Sequence, residues 1–185
     1  MTITHISQNV IMVNGDVKMR IVIKKDEPIV DLDDMLYLIF GVNQRYKSMA
    51  RRIIEHIVKH GYLEAEKWIE LVIAEIKEII PSLGDDLEEL YIKLKENNAS
   101  NYIIQNALRE RAKEFAKEHN IPNPFNIMAN AYVRTIKRLR DLGLVYRKHK
   151  KYYLSEQFIR RLQEVINLWS GYCKKAEKNL YSEIS

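Results

Sequence analysis

Between residues 125 and 154 the chain changes hydrophobic period in the middle of a short stretch, which restricts what can be built there. Phe125 to Leu142 has helical spacing, with Met128, Tyr132, Ile136 and Leu139 along one stripe. Gly143 stops it, since glycine accepts the backbone conformation that closes a helix. Leu144–Arg147 and Tyr152–Leu154 then read as two short strands around a turn at His149-Lys150. The segment from Arg134 to Lys151 also carries eight Lys/Arg against a single acid, Asp141: +7, more than the +5 of the whole protein.

Charge is divided unevenly along the 185 residues. Residues 1–98 hold 13 Lys/Arg and 17 Asp/Glu, hence −4, while residues 99–185 hold 17 and 8, hence +9. An electrostatic partner therefore concerns mainly the second half, and a polyanion such as double-stranded DNA suits it. No apolar run approaches the roughly 20 residues needed to cross a bilayer, and residues 1–5 lack the basic-then-apolar order of a signal peptide. With one cysteine, Cys173, no internal disulfide can form. The expectation is an intracellular, cytoplasmic protein with no membrane partner.

The chain divides into three expected regions. Residues 1–98 form an N-terminal region. Its strands at 8–14 and 17–24 meet at Asn14-Gly15, a strong tight-turn signal. Helices follow, from a cap at Asp31 or Asp33 to Phe40, from Gln44 to His60, from Leu63 to Ile80, and from Asp85-Asp86 to Lys95. The third is apolar on more than one side, which places it centrally. Residues 99–154 hold a helix capped by Ser100, a turn with Pro122 and Pro124, the helix from Phe125, and the hairpin. Residues 155–185 form a last helix, capped by Ser155. In it Phe158, Leu162, Val165, Trp169, Tyr172 and Ala176 alternate at spacings of four and three, a coiled-coil seam expected to make a homodimer.

Opposite the apolar stripe of the helix from Phe125 lie Asn126, Asn130, Arg134, Lys137 and Arg138. When such a helix enters a major groove its N-terminal half is nearest the bases. Asn126 and Asn130 can pair with adenine and Arg134 with guanine, while Lys137 and Arg138 suit phosphates. Arg147, Lys148, His149, Lys150 and Lys151 crowd the hairpin turn and would lie along the backbone or minor groove.

The run Tyr132-Val133-Arg134-Thr135-Ile136-Lys137-Arg138-Leu139-Arg140-Asp141-Leu142-Gly143-Leu144-Val145 resembles the helix-to-wing passage of prokaryotic and archaeal winged helix-turn-helix regulators. The likeness spans about 99–154 and departs from the family in its longer, two-proline turn. It implies a mainly α, winged helix-turn-helix fold that binds DNA. A weaker resemblance covers about 8–60. There Val13-Asn14-Gly15-Asp16-Val17, Glu27-Pro28-Ile29-Val30-Asp31 and Phe40-Gly41-Val42-Asn43 are similar to N-terminal domains of phage BRO-type antirepressors, implying a viral or plasmid source. A solvated basic face at Arg45, Lys47, Arg51 and Arg52 explains the same segment equally well.

Signals for catalysis are weak. His56 and His60 share a helix face, but no cysteine is near and the metalloprotease order is missing. The glycines are scattered singly, so no phosphate loop exists. Acidic pairs such as Asp85-Asp86 sit where helices should start. The sequence is therefore read as a non-enzyme without cofactor or metal: a dimeric, sequence-specific DNA-binding transcription regulator. Two alternatives stay open, a winged-helix protein-interaction module and a non-specific architectural DNA-binding protein in a replication or segregation complex.

Overall fold

The computed structural model describes residues 29–182, with side chains through 175. The hairpin expected at 8–24 lies outside the described residues. Two compact units divide at Val42/Asn43. The expected 98/99 boundary thus falls inside the second unit.

In the first unit the described element is helix α1, Leu32–Phe40. Asp31 caps it, its carboxylate accepting from the Asp34 N–H at 2.9 Å, and Gly41 ends it at φ 61°.

The second unit opens with α2, Gln44–His60, capped by Asn43 and closed by Gly61 in the left-handed conformation. Its stripe of Met49, Ile53 and Ile57 is buried. The helix expected from Leu63 begins later. Leu63–Glu64 is instead a short strand, β1, followed by a 3₁₀ turn at Ala65–Lys67 and then α3, Trp68–Ile79. Two residues are too few to show an alternating pattern, so β1 is indistinguishable in sequence from the start of the helix. Helix α3 is central, as its several apolar sides require, packing against α2, α4 and α6 with Ile69, Val72, Ile73 and Ile76 buried. Glu75 is buried among them and accepts from the Ser48 hydroxyl at 2.9 Å and Arg52 Nε at 2.7 Å. Arg52, which also pairs with Glu78, is therefore turned onto α3 rather than spread on a solvated basic face.

Helix α4, Pro81–Glu96, starts at Pro81, whose missing N–H costs nothing at a first helical position. Asp85 and Asp86 consequently lie inside the helix and act as ion-pair partners rather than caps. Asp85 meets Lys77 at 2.7 Å and Asp86 meets Arg111 at 2.5 Å. Ser100 caps α5, Asn101–Glu118, and α6 follows as Pro124–Asp141. Strands β2, Val145–Lys148, and β3, Lys151–Leu154, form the expected hairpin. β1 joins it on the far side of β3, giving the antiparallel order β1-β3-β2 with Leu63 opposite Tyr152. Leu63, Val145 and Tyr152 face the core. The last helix, α7, covers Gln157–Ser182. Among the described residues the fold is mainly helical with one small sheet, and no helix is long and apolar enough to cross a membrane.

Candidate nucleic-acid interface

Helix α6 begins where Asn123 sets it. The Asn123 Oδ1 accepts from the Asn126 N–H at 3.1 Å, and Pro124 supplies the first turn. The two-proline turn that lengthens this approach is thus itself the cap. Phe125, Met128, Tyr132, Thr135, Ile136 and Leu139 are buried, held against α2, α3 and α5. Trp68 of α3 lies 6.0 Å from the Phe125 ring and 6.2 Å from Tyr132. Burial pushes the Tyr132 hydroxyl well above its ordinary value. Among the described residues its oxygen and the Thr135 hydroxyl are buried without a hydrogen-bond partner.

The opposite face is exposed: Asn126, Asn130, Arg134 and Lys137 follow one another at spacings of four, four and three. They differ in how freely they can move. Asn126 Oδ1 already accepts from Arg109 Nε at 3.1 Å, so this side chain is braced by α5 and presents chiefly its NH₂ group. Arg134 Nη1 donates to the Tyr46 hydroxyl of α2 at 3.2 Å. Asn130 and Lys137 have no side-chain hydrogen bond or ion pair among the described residues. Arg138 does not share their exposure. It is half-buried, and burial alone lowers its guanidinium pKa, though an arginine stays charged under such a shift.

The hairpin cations are sorted by strand alternation. Tyr146, Lys148, Lys151 and Tyr153 lie on the outer face, while Arg147 and Tyr152 lie on the inner one. Arg147 sits 5.7 Å from the Tyr152 ring centroid. Lys151 Nζ stands 3.7 Å over the Tyr62 ring and is half-buried. The exposed cations near the turn are Arg147, Lys148 and Lys150, with His149 between the two lysines, and of these Lys148 and Lys150 are not drawn over a ring. This turn is not a loose tip. His149 and Lys150 have φ of 47° and 62°, the signs a two-residue type I′ turn demands. The Lys150 carbonyl accepts from the Ala65 N–H at 2.7 Å, tying the turn to the end of β1.

Two contributors escaped the sequence reading. Tyr46 lies in line with the apolar stripe of Met49, Ile53 and Ile57, yet its hydroxyl reaches Arg134, and no pattern within α2 signals a partner 88 positions away. Tyr62 precedes a strand too short to detect, and it underlies Lys151 and lies 6.2 Å from Tyr153. His56 and His60 do approach, their ring centroids 4.5 Å apart, but among the described residues no group of three His, Cys, Asp or Glu side chains gathers to hold a metal. No protein-family model, curated protein or solved structure matches the chain.

Proposed function

We propose that the protein is a sequence-specific double-stranded DNA-binding protein, a transcription regulator of viral or plasmid type. The observation that carries the reading is the exposed face of α6, where two asparagines, an arginine and a lysine are aligned on a helix whose other face is anchored in the core. A rigid helix with amide and guanidinium groups on its free side matches the donor and acceptor pattern of a major groove. The hairpin after α6, with Lys148 and Lys150 at its turn, adds phosphate-seeking charge next in the chain. The antiparallel order β1-β3-β2 supports the winged-helix resemblance, because it stiffens the hairpin that would act as the wing.

In this reading Asn126 and Asn130 address adenine, Arg134 addresses guanine, and Lys137, Lys148 and Lys150 neutralise phosphates. Arg138 and Lys151 serve the fold more than the duplex, since each is half-buried, while Arg147 is exposed but drawn toward the Tyr152 ring on the inner face of the hairpin. His149 shapes the turn.

A second reading, the protein-interaction module, is favoured by one feature. Tyr146 and Tyr153 stack at 5.3 Å on the outer face of the sheet, and Tyr146 is 44% exposed. Exposed tyrosines of this kind are common anchors in protein interfaces. Selection of bound duplexes from a random library, followed by salt titration of the selected sites, separates the readings. Recovery of a defined motif supports the regulator. Salt-sensitive binding without enrichment points to an architectural protein, and no DNA binding leaves the protein-interaction module.

A further inference from the structure

Helix α7 belongs to the second unit, and among the described residues its apolar side is bare. Ile159, Leu162, Val165, Ile166, Leu168, Trp169 and Tyr172 are 40–69% exposed, and every residue from 159 to 175 is exposed. Seven large apolar side chains exposed along one helix make a contiguous patch of the kind that marks an interaction surface. Among the described residues, the hydrogen bonds that tie it to the preceding elements lie at its root. Phe158 N–H donates to the Gly143 carbonyl at 3.2 Å, and Arg161 Nη1 donates to the Asp141 carbonyl at 3.3 Å. These bonds clamp α7 to the carboxyl end of α6.

We propose that α7 pairs with α7 of a second copy in a parallel, in-register, two-stranded coiled coil. The seam is Phe158, Leu162, Val165, Trp169 and Tyr172, which in heptad terms alternate between d and a positions. Orientation follows from the charges beside it. Arg161 and Lys175 both occupy g positions. An antiparallel pair sets g against g and brings Arg161 beside Lys175 of the other copy, like charge on like. A parallel pair sets g against e, and the e positions are Ile159, Ile166 and Cys173. Arg161 then faces Ile166, and Leu168 faces Cys173, widening the dry contact without repulsion. A membrane surface fits less well, because no Lys or Arg occurs between Arg161 and Lys175 other than Lys174. A helix lying on anionic lipid needs cations flanking its apolar face along its length.

The parallel pairing has a consequence for the DNA reading, and this consequence alone rests on it. Because both roots lie at the same end of the coil, the two α6 helices are presented together. An antiparallel pair would separate them by about the length of α7, on the order of 39 Å for 26 residues.

The test uses the full chain without DNA, so its failure is separate from failure of the DNA reading. Sedimentation of the unaltered protein should give the mass of two copies. The double substitution Val165→Asp/Trp169→Glu should raise the dissociation constant at least about 100-fold, because it places charges in a dry seam. Circular dichroism outside α7 should persist, since both positions are exposed in the single chain. In a Cys173→Ser background, Leu162→Cys and Trp169→Cys should each self-cross-link under mild oxidation, and Asn167→Cys on the outer side should not. A monomer, a trimer or a tetramer overturns the proposal. So does cross-linking of a Leu162→Cys and Tyr172→Cys mixture in preference to Leu162→Cys alone, which marks an antiparallel pair. Monomers that bind anionic phospholipid vesicles overturn it in favour of a membrane surface.

Discussion

Arg134 Nη1 donates to the Tyr46 hydroxyl across 3.2 Å, and this bond joins the exposed face of α6 to the first turn of α2. The guanidinium keeps further N–H donors for a partner, so the contact orients Arg134 without consuming it. Tyr46→Phe should weaken binding to the selected DNA site by about 0.5–1.5 kcal/mol, the ordinary worth of one hydrogen bond, with thermal stability almost unchanged. Arg134→Ala should cost about 1–3 kcal/mol and relax preference at a single base pair. Titrations against the selected site and its single-base variants measure both. An equal loss on every duplex would make Arg134 a phosphate contact.

The sorting of the hairpin cations predicts that neighbouring lysines behave differently. Lys148 and Lys150 are exposed, whereas Lys151 rests on the Tyr62 ring at 3.7 Å. Each phosphate contact contributes about 0.9 to the slope of log affinity against log salt. Lys148→Gln/Lys150→Gln should therefore flatten that slope by about 1.8 if each lysine contacts one phosphate. Lys151→Gln should leave the slope nearly intact and instead loosen the sheet by about 0.5–1 kcal/mol, the scale of an exposed cation–π contact. Thermal melts and salt titrations of the two variants distinguish the roles.

What was legible in the sequence follows the range of the interactions that cause it. Caps act over three residues, so Asp31 and Ser100 could be read directly, as could the stop at Gly143. The stripe of α6 is a property of one helix, so its buried and exposed faces were predictable except at Arg138, which lies at their border and is half-buried. Strand alternation would have put Arg147 and Lys148 on opposite faces, but charge density drew attention to the cluster as a whole. Long-range pairings left no local trace. Leu63 belongs to a strand only because Tyr152 lies opposite it, Arg52 turns inward only because Glu75 is buried, and Asp85 and Asp86 pair with Lys77 and Arg111 where capping had seemed enough. The seam of α7 was readable as a pattern, and its exposure along the free helix leaves a partner to be found by experiment.

The hairpin turn is occupied by residues poorly suited to it. His149 and Lys150 both adopt positive φ, a conformation that costs a side-chain-bearing residue about 1–2 kcal/mol. Replacing them with Asn-Gly, the preferred type I′ pair, should relieve part of that strain. Glycine's greater freedom in the unfolded chain offsets some of the gain, so a net stabilisation of about 0.5–1 kcal/mol is expected, read as a higher Tm. If Lys150 contacts phosphate, the same variant should bind DNA less tightly at low salt. Better folding would then coincide with poorer binding.

Stability should depend on pH through His56. Burial lowers its pKa below the ordinary 6.5, and the nearby His60 and Lys67 lower it further, against a smaller opposing effect of Glu70. As pH falls through 6.5 the unfolded chain takes up a proton that the folded chain still refuses, so the unfolded state gains. The stability contributed by neutral His56 is therefore present above pH 6.5 and declines below it. Melts at pH 8 and pH 5.5 should show a smaller difference for His56→Gln than for the unaltered protein. An equal difference would assign the acid sensitivity to other groups.

Two helical glycines should respond oppositely to the same substitution. Gly84 of α4 lies against α3 so closely that an added Cβ would overlap the Lys77 Cα. Since backbone cannot yield as a flexible side chain does, Gly84→Ala must part the two helices, and a loss of about 1–3 kcal/mol is expected from overpacking. Gly171 sits on the outer side of α7, and among the described residues nothing lies within 4 Å of an added Cβ. Gly171→Ala should therefore contribute helix propensity alone, about 0.8–1 kcal/mol. If α7 is paired, that gain falls on each copy, and the dimer should tighten as the helix becomes more rigid. Sedimentation at dilutions spanning the dissociation constant, together with thermal melts of both variants, tests the pair. A destabilising Gly171→Ala would mean that another surface approaches this side of α7 and would redraw the seam.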